Sequence, residues 1–236
     1  MRPFQASSPW NVRPQDRMKL ISPYSFVYFL CEGKNTEFHY FNGLRINKKQ
    51  LGIKSNIELC VLEKTDEDEG LTDPIKLFEK SVLKIDELKK TEFFSELDDK
   101  FVIIFDTDTF CSQSDLDDFF TTYANENIIF GVTYPSFEIF LYSHDTDKLT
   151  NLIANHTEEV VENIKVGNQR PLLKHFTIDF GFNPKKLTNK EKVEALTLEV
   201  KIAITNASLL VSRSEEMHRK LSSNIATILA EILFPE

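Results

Sequence analysis

The sequence predicts an α/β protein, with a parallel β-sheet flanked by helices and a helical region towards its C-terminal end. Two observations predict this class. Four short apolar runs are separated by amphipathic helical patterns, and the first run is too continuously apolar for a strand with one face in water. After residue 135 the strand signal fades while helical periodicity continues. Because strands and helices alternate, we expect right-handed crossovers that place helices on both faces of the sheet.

The four predicted strands are the apolar runs at residues 24–31, 56–62, 101–105 and 128–132. An amphipathic helix is predicted after each of the first three strands. Asn35 and Thr36 can cap the first helix, and Pro74 is suited to open the second. The apolar faces are predicted to contain Phe38, Phe41 and Leu44 in the first helix, Ile75, Phe78, Val82 and Ile85 in the second, and Leu116, Phe119, Phe120 and Tyr123 in the third.

The chain is predicted to have three parts. Residues 1–22 contain three prolines and the only tryptophan without periodicity, which indicates a loose N-terminal arm. Residues 23–145 form the predicted α/β core, and residues 146–236 a helical region packed on it. Two apolar stripes at helical spacing indicate this last part, namely Leu196, Val200, Ala203, Ala207 and Leu210, and Leu221, Ile225, Ile228, Leu229 and Ile232.

The charge balance argues against indiscriminate nucleic-acid binding. The 236 residues contain 28 Lys and Arg against 37 Asp and Glu, a formal net charge of −9, so no overall basic surface is available. Most of this excess lies in two acidic segments, residues 63–73 and 106–118. The rest of the chain is close to neutral, which leaves room for a local phosphate-binding patch and predicts a narrow substrate.

Other classes are excluded by what the motifs lack. With only 7 glycines and neither G-x-x-x-x-G-K-[ST] nor G-x-G-x-x-G, common ATP or NAD chemistry is disfavoured. The 3 cysteines have no C-x-x-C spacing, so neither a disulfide framework nor a zinc ribbon is indicated. No apolar stretch approaches the length of about 18 residues that suggests a membrane span. We therefore expect a cytoplasmic protein without membrane contact.

Acidic residues follow two of the predicted strands. Glu32 comes directly after the first strand, and Asp106 and Asp108 come directly after the third. In open parallel sheets, functional groups gather beyond the carboxyl ends of the strands. If the backbone stays extended through Thr107, both aspartates point the same way. The sequence therefore predicts a pocket with three carboxylates.

Such a pocket predicts a bound metal ion. Three carboxylates within about 6 Å of one another repel, so their pKa values rise unless a cation neutralises them. Mg²⁺ or Mn²⁺ prefers oxygen ligands and keeps waters that phosphate oxygens can replace. An ion held in this way can activate water and stabilise charge on a phosphoryl group, while Lys34 can reach a substrate phosphate.

Four spaced elements of the chain resemble the RloB-like family, whose members have a TOPRIM-type fold. The first is the string Cys31-Glu-Gly-Lys-Asn-Thr-Glu-Phe-His-Tyr-Phe41, which is similar to the family element C-E-G-x-x-T-E-x-x-Y-F. The others are the acid pair in Phe105-Asp-Thr-Asp108, the string Pro135-Ser-Phe-Glu-Ile-Phe-Leu-Tyr-Ser-His144, and Ala203-Ile-Thr-Asn-Ala207 with Asn224 and Thr227. The resemblance covers residues 24–233.

The resemblance implies a metal-dependent TOPRIM nuclease that acts in bacterial or archaeal defence against phage beside an ABC- or AAA-type ATPase. It favours RNA over DNA as the substrate, with transfer RNA as a target class. By position, Glu32 is implied to be the catalytic or metal-orienting acid, and Asp106 and Asp108 are implied to be catalytic metal ligands. Glu37 and Glu138 are implied to be neighbouring or additional acids.

Some residues depart from the family pattern. Thr107 and Thr109 stand where the family often has a basic residue and another acid, so one or two metal ions remain alternatives. Tyr134 replaces the asparagine before Pro135, and Phe140 replaces a tryptophan. Neither change removes a carboxylate.

Several roles stay open at this stage. Glu138 either pairs as a buried acid with Lys34 or a backbone N–H, or binds metal. His144 either complements the C-terminal end of a helix or contributes to the site. The other histidines have no ligand spacing such as H-x-x-x-H and are interpreted as structural; they are His39, His156, His175 and His218.

Two other kinds of protein are alternatives to a nuclease. The chain can be a non-catalytic TOPRIM-like regulatory or scaffold subunit of an ATPase complex, which retains an acidic pocket for stability or metal sensing. A phospho-receiver domain is disfavoured, because receivers place paired acids after the first strand and a single aspartate after the third. The apolar C-terminal helices also offer a surface for a homodimer.

Overall fold

The protein is described from a computed structural model over residues 25–63, 73–90 and 94–235. The predicted N-terminal arm at residues 1–22 lies outside these ranges, as does most of the first acidic segment. A single sheet contains five strands, which are β1 (Ser25–Cys31), β2 (Ile57–Leu62), β3 (Lys100–Asp106), β4 (Ile128–Tyr134) and β5 (Ser222–Ser223). Their order is β2-β1-β3-β4-β5, and the first four are parallel. The predicted parallel α/β architecture is confirmed.

Helices connect the strands and form most of the chain after β4. Those up to β4 are α1 (Thr36–Leu51), α2 (Pro74–Lys89) and α3 (Gln113–Thr122). Those after β4 are α4 (Glu138–Tyr142), α5 (Thr146–Glu162), α6 (Pro171–Phe180), α7 (Lys190–Leu196), α8 (Val200–Thr205) and α9 (Ile225–Leu233). Within the described ranges, no helix has both the length and the apolar character needed to cross a lipid bilayer.

Both faces of the sheet are buried, as the continuous apolar strands require. In β1, Val27 and Phe29 belong to one apolar cluster, while Tyr28 and Leu30 belong to another. The first cluster includes side chains of α1 and of the C-terminal helices, and the second includes side chains of α2 and α3. The ring of Phe29 stacks on that of Phe41 in α1 with centroids 4.4 Å apart. Burial on both faces therefore explains why these strands read as unbroken apolar runs.

Three local expectations were wrong in detail. Asn35 occupies the N-cap position of α1 but makes no capping bond through its side chain, whose amide instead points to the carbonyl of Lys185 at 3.5 Å. Ile75 is 38% exposed, because the buried face of α2 runs through Pro74 and Leu77 instead. The first predicted C-terminal stripe is not one helix, since 3₁₀ turns interrupt α7 and α8. Its spacing still tracks burial at Val200 and Ala203.

The fifth strand was not predicted, because a two-residue serine segment gives no hydrophobic pattern. It pairs antiparallel with the end of β4, where Ser223 lies opposite Thr133. The next residue, Asn224, extends this pairing with its side chain. Its Nδ2 donates to the carbonyl of Phe130 at 2.9 Å, and its Oδ1 accepts from the N–H of Val132 at 2.7 Å. A single amide side chain thus satisfies two backbone groups on β4.

We expect Asn224→Ala to lower the free energy of unfolding by about 1–3 kcal/mol, because it leaves a donor and an acceptor of β4 without a partner. Urea denaturation followed by circular dichroism measures this change. Thr227→Ala, on the exposed side of α9, is the matched control and should change stability by less than about 0.5 kcal/mol. Equal stability of the two variants would show that water replaces the Asn224 amide.

Candidate metal centre

Glu32 is fastened to the neighbouring strand by its backbone and its side chain. Its N–H donates to the carbonyl of Ile104 in β3 at 2.8 Å, which continues the β1–β3 pairing past the end of β1. Its carboxylate Oε2 accepts the backbone N–H of Asp106 at 3.0 Å. The two acids that follow β1 and β3 are therefore brought together, as the sequence predicted.

Asp106 is the last residue of β3 and lies opposite Thr133 of β4. The hydroxyl of Thr133 donates to Asp106 Oδ1 at 2.6 Å. Thr107 completes this junction, because its hydroxyl donates to the carbonyl of Thr133 at 3.1 Å. The orientation of the Asp106 carboxyl is thus set by the register of β3 and β4.

Glu37 reaches the same place from the first turn of α1. Its carboxylate folds back over Gly33, and a Cβ atom at Gly33 would lie only 2.0 Å from Glu37 Oε2. Any side chain at that position would displace the carboxylate. The glycine of the E-G pair therefore leaves the space that the Glu37 carboxylate occupies in this structure.

Glu138 begins α4 and is 1% exposed. The Ser136 hydroxyl donates to its Oε2 at 2.6 Å, and Nζ of Lys185 lies 3.3 Å from its Oε1. Glu138 is thus a buried, paired acid, but Lys185 and not Lys34 is the lysine that pairs with it. Lys185 follows α6 in an irregular segment, where nothing in the local sequence pattern marks it as a site residue. Its side chain is 53% exposed and extends from solvent to the buried carboxylate.

The carboxyl groups perturb one another strongly. Loss of solvent raises the pKa of Asp106 well above its usual range, and the charges of Glu37, Glu32 and Glu138 raise it further. Burial also raises the pKa of Glu37 to about 7, with added contributions from Glu138 and Glu32 that a backbone hydrogen bond and Lys185 partly offset. The charge of Glu138, with help from Glu37 and Asp106, raises the pKa of Lys185. Among the described residues, the carboxyl groups of this cluster therefore lie near the ammonium group of Lys185. They are those of Glu32, Glu37, Asp106 and Glu138.

This donor set suits a hard divalent cation. The converging groups offer carboxylate oxygens, and the charges of the neighbouring acids add to burial in raising the pKa of Asp106 and of Glu37. Mg²⁺ and Mn²⁺ prefer such oxygen ligands and would offset the repulsion. Glu32, Glu37 and Asp106 are the residues that would hold the ion, with Glu138 engaged by Lys185. Their ligand oxygens do not all lie within 4.8 Å of one another in this structure, so an ion would draw the carboxylates closer together.

The prediction that Asp106 and Asp108 point the same way from an extended strand was wrong. A 3₁₀ turn over Thr107–Thr109 begins directly after Asp106, so the backbone is not extended through Thr107. The Asp108 carboxylate forms an ion pair with Arg170, the residue before α6. Its charge also raises the pKa of Tyr134, although burial is the larger cause. Asp108 therefore faces Arg170 and Tyr134 in this structure.

His144 lies at the C-terminal end of α4 and is 3% exposed. Its Nδ1 lies 3.2 and 3.1 Å from the carbonyls of Phe140 and Leu141, so Nδ1 carries the proton. The Tyr40 hydroxyl, 2.8 Å from Nε2, therefore donates to it. Burial lowers the pKa of His144 to about 4, so the ring is neutral near pH 7. His144 complements the helix end by hydrogen bonding rather than by charge.

Lys34 is exposed and lies at the entrance to a cleft beside the first loop. The cleft has a volume of about 220 Å³, and its lining includes Gly33, Phe38 and Leu62. The position of Lys34 suits contact with a ligand from solvent. It contrasts with the position of Lys185, whose ammonium group faces the carboxyl cluster.

The fold and these side chains define a TOPRIM-like α/β protein with a cluster of acids at the carboxyl ends of β1 and β3. The sequence model of the RloB-like protein family matches residues 27–232, and the chain belongs to this family. This confirms the resemblance seen in the four sequence elements. Comparisons with curated proteins and with solved structures found no match.

We expect Glu37→Gln to change how stability depends on pH. Because the folded protein raises the pKa of Glu37 from 4.5 to about 7, it binds the proton more tightly than the unfolded chain does. The folded state therefore loses stability as pH rises through this window. Removing the titration should abolish a loss of about 3 kcal/mol, at about 1.4 kcal/mol per pKa unit.

Denaturant titrations without metal, from about pH 4 to about pH 8, measure this slope. Glu79→Gln, on the exposed side of α2, is the matched control and should keep the wild-type slope. A Glu37→Gln profile parallel to wild type would show that Glu37 titrates as an ordinary solvated acid.

Proposed function

We propose that this protein is a metal-dependent TOPRIM endonuclease that hydrolyses phosphodiester bonds in nucleic acid, with Mg²⁺ or Mn²⁺ as its cofactor. Its preferred substrate is RNA rather than DNA, and transfer RNA is the target class to test first. It acts as the effector of an anti-phage defence system together with an ABC- or AAA-type ATPase. The substrate and partner are proposed from the family resemblance, whereas the chemistry is proposed from the site.

The observation that supports this chemistry most is the bond between Glu32 and Asp106 at neighbouring strand ends, with Glu37 of α1 close enough for its charge to raise the pKa of Asp106. A bound divalent cation would activate water and stabilise negative charge on a phosphoryl group. The chain supplies the positioning. Glu32 is oriented by the N–H of Asp106, and Asp106 by the hydroxyl of Thr133, so neither carboxylate depends on a mobile partner.

Glu37 is proposed to bind and release a proton at this site, and Lys185 to supply positive charge beside the carboxylates. With a pKa of about 7, Glu37 holds a proton in the metal-free protein below neutral pH and loses it when a cation binds. Lys185 pairs with Glu138 and contributes a positive charge beside the acids. Outside the acidic pocket, Lys34 is available to contact a substrate phosphate as a point charge.

Asp108 is proposed as a further catalytic metal ligand, and this role requires it to leave Arg170. A guanidinium group binds phosphate oxygens in the same bidentate manner as it binds a carboxylate. Arriving substrate can therefore take Arg170 and free Asp108 for the ion. This exchange would couple substrate binding to completion of the metal site. The number of bound ions, one or two, would then depend on whether Asp108 is released.

A regulatory or scaffold subunit of an ATPase complex is the second candidate. The observation that favours it is that two of the acids are already paired within the chain, Asp108 with Arg170 and Glu138 with Lys185. A pocket neutralised in this way can serve stability alone. Calorimetry that detects neither Mg²⁺ nor Mn²⁺, while the chain co-purifies with the ATPase, would support this candidate.

We expect Glu32→Gln and Asp106→Asn each to reduce Mg²⁺- or Mn²⁺-dependent cleavage by about 100-fold or more, because each removes a charged group at the reacting centre. Gel assays with transfer RNA, other RNA and DNA, with and without the ATPase, measure the rate. Glu79→Gln should cut as wild type does. Cleavage that persists in both site variants would contradict the proposed mechanism.

We expect Asp108→Asn to weaken Mg²⁺ binding by at least about tenfold, a typical loss for a disrupted metal site, when a non-cleavable nucleic acid occupies Arg170. Arg170→Gln should tighten Mg²⁺ binding in the absence of nucleic acid. The reason is that Arg170 competes with the ion for the same carboxylate. Isothermal titration calorimetry of the folded variants measures both affinities. An Asp108→Asn affinity equal to that of wild type would restrict Asp108 to anchoring Arg170.

A further inference from the structure

A second group of ligand side chains meets between α5 and α6, and the proposed nuclease chemistry does not use it. His156 and Glu159 belong to α5, and His175 belongs to α6. Nδ1 of His156 and Nε2 of His175 lie 2.9 and 2.6 Å from the same oxygen, Oε1 of Glu159. The candidate ligand atoms of the three residues all lie within 4.8 Å of one another.

The two helices hold these groups in a converging arrangement. His156 and Glu159 are three residues apart, so they share one side of α5. The His175 ring lies against the His156 ring with centroids 4.1 Å apart and an interplanar angle of 32°. The two rings therefore lie side by side, and each places one nitrogen next to the Glu159 carboxylate. The spacing along the chain shows no H-x-x-x-H motif, which is why sequence analysis assigned both histidines a structural role.

We propose that His156, Glu159 and His175 form a binding site for a transition-metal ion of the Zn²⁺ class. Two imidazoles and one carboxylate are a ligand set that Zn²⁺ accepts, with a fourth position for water. Ligand atoms around a tetrahedral zinc stand about 3.3 Å apart, so the present nitrogen–oxygen separations need to widen by less than about 1 Å. Because this site offers nitrogen donors, its metal preference differs from that of the carboxylate cluster, which suits harder ions.

The side chains have room for this adjustment. Their exposed fractions are 34% for His156, 51% for Glu159 and 17% for His175. The ion can thus enter from solvent without opening the core. A metal ion binds an imidazole ring through a nitrogen that carries no proton.

The site would tie α6 to α5, and the segments on either side of α6 contact the acids of the candidate metal centre. Arg170 precedes α6 and pairs with Asp108, and Lys185 follows α6 and pairs with Glu138. The Tyr142 hydroxyl also donates to Asp179 of α6 at 2.7 Å, which joins this helix to α4. An ion on His175 would therefore steady the helix whose flanking segments supply both cations to the acids.

Cobalt is the probe for this site, because Co²⁺ in a zinc-type site absorbs visible light through its d–d transitions. Metal-stripped protein is titrated with Co²⁺ and then with Zn²⁺ as competitor. We expect one equivalent of tetrahedral or five-coordinate Co²⁺, displaced by Zn²⁺. His175→Ala, His156→Ala and Glu159→Gln should each weaken binding by more than about tenfold, the smallest loss expected for a disrupted metal site.

Two controls separate the site from other sources of metal binding. Glu158→Gln makes the same change at the adjacent exposed acid of α5, and Glu32→Gln alters the carboxylate cluster; both should keep the cobalt spectrum. Circular dichroism confirms that each variant is folded. The proposal is overturned if wild type gives no such spectrum, or if Glu159→Gln and both histidine variants bind Co²⁺ as tightly as Glu158→Gln does.

Discussion

The parallel pairing of β1 with β3 is the constraint on which the candidate site depends. The N–H of Glu32 continues this pairing past the end of β1 by donating to β3. The N–H of Asp106 then donates to the Glu32 carboxylate. These bonds hold two acids together although their charges repel, and Glu37 and Glu138 add to the repulsion. The folding energy of the sheet thus maintains a charge arrangement that the side chains alone would not adopt. The divalent cation proposed above would offset this repulsion.

The C-terminal helical region completes this arrangement from outside the sheet. Arg170 and Lys185 flank α6 and each pairs with one acid. The sheet therefore concentrates negative charge, while the helical region supplies the positive charge that limits it. Movement of α6 would change how many carboxylates are available to an ion, which links the two parts of the chain functionally.

The strands and the two acids that follow them could be predicted from sequence, because apolar runs and strand ends are local properties. The direction of Asp108 could not, since it depends on whether the chain stays extended after Asp106 or turns, and the Thr107–Thr109 turn decides this. Lys185 and Arg170 were missed for a different reason. They act across long stretches of sequence, in segments whose own pattern gives no sign of a site. The serines of β5 were too short a signal to recognise.

The bond between Asn224 and β4 has a consequence for association between molecules. β4 is followed in the sheet order only by the two residues of β5, and the Asn224 amide occupies the backbone groups of Phe130 and Val132 beside them. That side of the sheet is closed to an added strand. In the described part of the chain, β2 forms the opposite edge, so strand-to-strand growth between molecules, whether in assembly or in aggregation, would begin there.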